Sequence, residues 1–438
     1  MKMRKNAFTL VEMLAIITIL GVLLTVTLPN IIGISEREST AKYAQIEKNM
    51  GLSAETYITS NMTSPVFPIT ISYRTLIDSK LLKDNIVNPI TGEKFDPDST
   101  YVKVANSLAA PTYSIVMVPP EGCFTTSGNA ITDYNFKTYN YTTWQYDYLY
   151  PGCPNEVIIP ETIGGVTMTT INSGAFNYDN LTFVYIPSKI TSIGTSAFAN
   201  NSISSINIPS SVTTIANNAF SSNKLTSITI PSSVTTIDVS AFAANSLTSI
   251  YIPSSVTTIG AYAFDNNKIK SIVYQSPISV TSIGGGAFNR NLMPYEKSLI
   301  YARTVTGTID YTKLVSYAGT ATSITIPTYV TTIGQSAFEN TVITSIVLPI
   351  STVDIQESSF RNTLLTKVII PNNVTTIGNY AFYGTRIVTQ HIPNSVTTIG
   401  NSGFSTSSTL TSAQIDNTSG SVTLGSTVFG AVTPTYLR

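Results

Sequence analysis

Leu247-Thr-Ser-Ile250-Tyr-Ile252-Pro253-Ser-Ser-Val256-Thr-Thr-Ile259-Gly-Ala-Tyr-Ala263-Phe264-Asp-Asn-Asn267 is one unit of a pattern that decides the fold. Its proline recurs as Pro187, Pro209, Pro231 and Pro253, and again as Pro327, Pro349, Pro371 and Pro393, a step of 22 residues. Its phenylalanine keeps that step through Phe198, Phe220, Phe242 and Phe264, and through Phe338, Phe360, Phe382 and Phe404. Ile250 and Ile252 alternate about Tyr251, which predicts a short strand with one buried face. Pro253 has no amide hydrogen to give to a ladder, so the strand ends there. Val256 and Ile259 turn inward again, and Ala263-Phe264 is expected to anchor a short helical turn. No unit can bury its Ile and Phe alone, so the units must stack and the ends must be capped.

A fixed period of this size marks leucine-rich-repeat-type solenoids. The phrase IPSSVTTIGxxAFxxNxLTSI, which runs over about residues 155 to 410, resembles the BspA-like branch of that group, found on bacterial surface proteins. The blocks expected are 166–288 and 323–412. Phe264 to Phe288 is 24 residues and Phe288 to Phe338 is 50, so 289–322 reads as an insert and restart, with 299–303 and 312–319 as a pair of strands. Residues 413–438 are expected to form the C-terminal cap. The outward residue of each strand gives a ladder: Tyr185, Asn207, Thr229, Tyr251, Val273, Thr325, Val347, Ile369 and His391. It is the candidate ligand face, since solenoids offer extended surfaces; the alternative is that these residues only satisfy strand propensity. His391 is the sole histidine and reads as a surface strand residue.

At the other end, Lys2, Arg4 and Lys5 precede FTLVEMLAIITILGVLLTVTLP, and from Phe8 to Ser35 the only ionisable side chain is Glu12. That is long enough for a membrane-crossing helix, which needs about 20 apolar residues. A carboxylate there costs about 2.5 to 3.5 kcal/mol at mid-membrane, so it needs a partner and a purpose. Secretory signals are cut after their apolar stretch, whereas here the small residue, Ala7, precedes it. Ala7, Phe8-Thr9-Leu10-Val11-Glu12, the apolar helix and Pro29 together resemble the class III leader of type IV prepilins and pseudopilins, where Gly is more usual at the place of Ala7. The resemblance implies that a prepilin peptidase in the membrane cuts between Ala7 and Phe8 and that the new amine is methylated. It also implies other pilin subunits as partners, with Glu12 of one subunit pairing with the Phe8 amine of a neighbour. Such an amine has an ordinary pKa of about 7.7 to 8.0, so it can carry the opposite charge. Pro29 would kink the helix. The plainer alternative is a single-pass anchor with Glu12 near the interface.

The fold class expected is therefore multidomain: a long N-terminal α-helix with a small α+β pilin-like head, followed by a solenoid of short parallel strands. Residues 1–7 are the leader, 8–60 the spine helix with its transmembrane part at 8–35, 61–122 the head, and 123–165 a linker and N-terminal repeat cap. Ala41, Tyr43, Ile46, Met50, Ala54 and Tyr57 keep near-helical spacing past the membrane. In the head, 75–82 reads as a short helix, 88–92 as a turn, and 101–104 and 113–118 as strands. This order is similar to pilin-like heads of Gram-positive bacteria.

Twenty-four basic residues balance 24 acidic ones, which argues against nucleic acid as an electrostatic partner. The two cysteines, Cys123 and Cys153, suggest one disulfide in an exported chain, worth about 3 to 4 kcal/mol; two separate thiols are the alternative. No metal site or cofactor is expected. Tyr141, Trp144, Tyr146 and Tyr148 lie in an aromatic cluster that either binds sugar or protein or packs the head against the first repeat. No converging nucleophile and base, paired carboxylates or phosphate loop points to an enzyme. The sequence thus reads as a minor pilin or pseudopilin that carries an adhesive repeat domain from the bacterial membrane to a filament or the cell surface, where a host or bacterial protein or glycan would bind. The alternatives are a structural or priming subunit of a pilus or secretion pseudopilus, and a membrane-tethered repeat receptor that never polymerises.

Overall fold

The computed structural model describes residues 41–62, 67, 69–89, 94–105, 109, 111–117, 123–134, 137–140, 145–148, 153–405, 409–416 and 422–437. Ala7, Phe8, Glu12 and Pro29, the membrane segment 8–35, and Tyr141 and Trp144 lie outside the described residues. Among the described residues no helix is long and apolar enough to cross a membrane. The chain divides into two compact units, Met1–Val118 and Pro119–Arg438.

In the first unit residues 41–61 are helical. Met50, Ala54 and Ile58 recur every four residues, so they form one stripe, and all three are fully buried. They share a core with Tyr73 and Leu76 of the helix Tyr73–Asp78 and with Val102 and Val104 of an antiparallel sheet. In that sheet Thr100–Ala105 lies between Ile69–Ser72 and Thr112–Met117. The strand Ile69–Ser72 is an addition to the two the sequence predicts, because its four residues hold only two apolar positions. The short helix starts where Ser72 Oγ accepts the Thr75 amide at 3.0 Å. It stops at Asp78, short of the predicted 82, because Lys80 turns left-handed (φ 61) and the Leu81 amide folds back to Leu76 O. Gly51 lies under the Tyr113 ring, where a Cβ would stand 2.1 Å from a ring carbon. From there the Tyr113 hydroxyl donates to Glu55 at 2.6 Å.

The second unit is a β-solenoid of about 12 turns among the described residues. The turns feed two columns of parallel strands, the first of them interrupted. The first column holds Glu156–Ile158 with Phe183–Tyr185, Ser249–Ile252 with Ser271–Tyr274, Ser323–Thr325 with Ser345–Val347, and the trio Thr389–Ile392, Ser412–Asp416 and Thr435–Leu437. The second is built from the Thr-Ile pairs, as in Thr214–Ile215, Thr236–Ile237, Thr258–Ile259 and Ser282–Ile283, in register. Two residues are too few to show a period of two, so these strands are not visible as such in the sequence. They are held by the threonine before each pair: the Thr257 amide and hydroxyl both reach Thr235 O, at 2.9 and 3.2 Å.

Ala263-Phe264 lies in two linked turns rather than the expected helical turn. The Ala263 amide bonds to Gly260 O and the Asp265 amide to Tyr262 O, with Tyr262 (φ 56) and Asn266 (φ 54) both left-handed. A left-handed residue at every fourth position prevents helix propagation. It also frees amides to point along the stack, so that Phe242 N–H reaches Ala263 O and Phe264 N–H reaches Ala287 O, each at 2.8 Å. The rings follow: Phe220, Phe242 and Phe264 stack at 5.5 Å within 10° of parallel.

The hairpin Phe124–Ser127 and Ala130–Tyr134 closes the first end, with Tyr134 stacked on Phe176 and a disulfide joining Cys123 to Cys153. At the break, Leu299–Arg303 pairs antiparallel with Ile309–Tyr317, which then becomes a member of the second column through Lys313 and Leu314. Val315 and Ala318 belong to the core before the break, Leu314 and Tyr317 to the core after it. At the far end, residues expected only as a cap extend both columns, and Phe429 stacks on Phe404 at 5.8 Å. There the step of 22 is lost while the inward residues persist. Among the described residues the core of this unit is drawn from residues 123–429.

Candidate ligand face

The outward ladder points away from the core: Asn207, Thr229, Tyr251, Val273, Thr325, Val347, Ile369 and His391 are exposed and Tyr185 is half-buried. These positions do not share one continuous sheet. Tyr251 pairs with Val273 and Thr325 with Val347, Asn207 meets Tyr185 through an isolated bridge, and Thr229 and Ile369 lie outside any strand. Hydrogen bonds between turns on this side vary in length, from 2.7 Å for the Thr344 amide to Thr322 O to 3.4 Å for the Thr226 amide to Ser204 O. The ladder is therefore an interrupted row of side chains, aromatic at Tyr251 and aliphatic at Val347 and Ile369, the last 72% exposed.

His391 Nε2 lies 3.0 Å from Asp416 Oδ1 on the next strand, an exposed pair. Exposed pairs of this kind contribute about 0 to 1 kcal/mol. Among the described residues no three His, Cys, Asp or Glu side chains gather to hold a metal. Tyr146 and Tyr148 sit in the strand Gln145–Tyr148, which pairs antiparallel with Lys137–Asn140.

A second aromatic group escaped the sequence reading. Tyr301 and Tyr311, from the two arms of the hairpin at the break, and Tyr329, from the turn after Pro327, meet with ring centroids 5.2 to 6.0 Å apart. The Tyr301 and Tyr329 hydroxyls are 3.1 Å apart, and burial together with this contact pushes the Tyr301 phenol up. Tyr311 and Tyr329 are about half exposed, so the group is an edge-to-face platform open to solvent. Only the pair of strands 299–303 and 312–319 was readable, and nothing in it indicates that residues ten and 28 positions away meet Tyr301.

Residues 2–28 match the prokaryotic N-terminal methylation motif. Residues 169–293 and 312–431, more than half of the chain, match the BspA type leucine rich repeat region. The chain belongs to the BspA-type leucine-rich repeat family. The gap between the two matched stretches of this BspA-type array holds the first arm of the hairpin, with Tyr301, and Tyr311. No curated protein matches the chain. Among solved structures, a leucine-rich repeat protein from Eubacterium ventriosum is 20% identical, with 75% of this chain and 83% of that one covered at a TM-score of 0.44. The pneumococcal vaccine antigen PcpA is 17% identical, with 78% and 88% covered and a TM-score of 0.44. A leucine rich cell surface protein from Faecalibacterium prausnitzii is 21% identical, with 73% and 94% covered and a TM-score of 0.38.

Proposed function

We propose that this chain is a type IV pilin-like subunit, a minor pilin or pseudopilin, that displays its BspA-type array on a bacterial filament or cell surface for adhesion to a protein or glycan. The observation that carries the reading is the presence of the methylation motif at 2–28 and the repeat array in one chain. The motif brings with it a prepilin peptidase acting at Ala7 and Phe8, passage through the membrane, and neighbouring pilin subunits met through Glu12. The array brings a surface: a ladder of aromatic and aliphatic side chains that the core does not use. Its role is binding rather than catalysis, because ladder and tyrosine platform offer stacking and apolar contact and no acid–base constellation.

Two measurements test the proposal. Immunogold labelling of the repeats on intact cells should mark filaments, and Glu12→Ala should remove the label from filaments while leaving protein in the membrane. Unchanged incorporation of Glu12→Ala would instead favour a tethered receptor. Failure of the fragment 119–438 to bind host matrix, glycoprotein or bacterial cells would leave a structural or priming subunit as the better account.

A further inference from the structure

At the break the first strand column loses a turn. Ile250 and Ile252 are buried, but their counterparts one turn on, Ile272 and Tyr274 in the strand Ser271–Tyr274, are only partly covered. That strand bonds to Ser249–Ile252 on one side, and among the described residues no strand bonds to its other edge. Beside that edge the arm Leu299–Arg303 borders a half-open cavity of about 310 Å³. Its wall is mainly aliphatic, with Ile272, Ile283, Met293 and Leu299 among its residues, and Tyr274 and Tyr301 add two rings.

Two cations, Lys297 and Arg303, also line this cavity. Lys297 is exposed and marks the rim, whereas Arg303 is half-buried. The Arg303 guanidinium lies 5.0 Å over the Tyr274 ring, and its Nη1 donates to Gly307 O at 3.2 Å. The ring contact, that bond and a hydrogen bond to the Tyr274 side chain fix it in place and leave the rest of its five N–H groups for another acceptor. No carboxylate of the described residues pairs with Arg303 or Lys297. On its far side Arg303 also lines an open hollow of about 590 Å³, with Ser276, Thr306 and Thr308 supplying hydroxyls. The site therefore has an apolar inner part, a hydroxyl-lined outer part, and an unpaired guanidinium at the boundary. The inner volume is at the lower end of small-ligand pockets, which run from about 300 to 1,000 Å³.

We propose that this cavity binds an anionic amphiphile, a medium-chain carboxylate whose acyl tail lies along the aliphatic wall and whose head group is held by Arg303. A guanidinium matches a planar carboxylate with two parallel hydrogen bonds. A cationic amphiphile would meet two like charges, and a neutral one would leave the guanidinium unmatched. The site is separate from the outward ladder, so it stands whether or not the array is displayed on a filament.

The unit 119–438 has its own core and both strand columns, so it is titrated calorimetrically as a detergent-free fragment with decanoate, 1-decanol and decyltrimethylammonium. Decanoate should bind more tightly than the other two. Arg303→Gln should weaken decanoate by about tenfold or more while leaving 1-decanol unchanged, and Ile272→Trp, which fills the cavity, should weaken both. The proposal is overturned if decanoate does not bind the folded fragment in the millimolar range, if the cationic amphiphile binds equally well, or if Arg303→Gln leaves decanoate affinity intact. Should Arg303→Gln fail to fold, salt dependence in the unchanged fragment decides: decanoate affinity that falls with added salt supports the ion pair, and affinity indifferent to salt overturns it.

Discussion

The buried asparagine three residues after Phe198, Phe220, Phe242, Phe264 and Phe288 is the residue that ties turn to turn. Asn245 Oδ1 accepts the Leu225 amide at 3.0 Å, while its Nδ2 donates to Phe220 O at 2.9 Å and Phe242 O at 3.1 Å. Asn201, Asn223, Asn267 and Asn291 repeat the arrangement. In the second block the place is taken by Thr341, Thr363 and Thr385, whose hydroxyls reach only the phenylalanine carbonyl of their own turn. Asn245→Thr should therefore keep the bond to Phe242 O and strand the Leu225 amide, while Phe220 O keeps only the longer bond from Asn223 Nδ2, at 3.3 Å. Leaving buried groups unpaired costs about 1 to 3 kcal/mol each, so urea unfolding should show a loss of that order, and an unchanged midpoint would contradict the role assigned to the amide. The repeating Asn is plain in the sequence, but asparagine is mostly an exposed residue. Only the three-way hydrogen bonding explains its place in the core.

At the scale of elements, the stacked phenylalanines bear on stability more than the outward ladder does. Phe242 is fully buried between Phe220 and Phe264. Phe242→Ala should cost about 3 to 5 kcal/mol, whereas Ile369→Thr on the exposed face should stay within about 0.5 kcal/mol. Denaturant unfolding of the two variants side by side checks both; similar losses would mean that Ile369 is covered. The inward phenylalanines were legible from their step of 22 alone. The turns around them were not: Asn266 is a type that tolerates the left-handed region, but Tyr262 and Ala244 (φ 55) are left-handed in spite of their side chains. At those two residue type gave no sign of it, and the conformation is imposed by amides that must reach the next turn.

Over the whole molecule, several phenols are held neutral. Hydrogen bonding to the Glu55 carboxylate pushes Tyr113 up to about 12, burial pushes Tyr317 up to about 12, and burial raises Tyr134 and Tyr262 as well. Each has a folded pKa above its ordinary 10.0, so the stability it lends is whole below that value and is lost as pH rises through the folded one. Melting temperature should hold up to about pH 10 and fall beyond it, while absorbance near 295 nm shows a late-titrating group of tyrosines; early titration of every phenol would contradict this packing. By itself the sequence determined the inward face of the solenoid, its period and the place of its break. In a stack each turn meets its neighbours through equivalent residues, so the contacts are written as repetition. What only the tertiary structure decided is what happens where repetition fails. The Tyr262 hydroxyl donates to Glu339 and accepts from Ser336 across the break, and Val315 and Leu314 go to different cores. Ile272 and Tyr274 are left partly open and three tyrosines converge. Those contacts join residues with no periodic relation, so they exist only once the chain has folded.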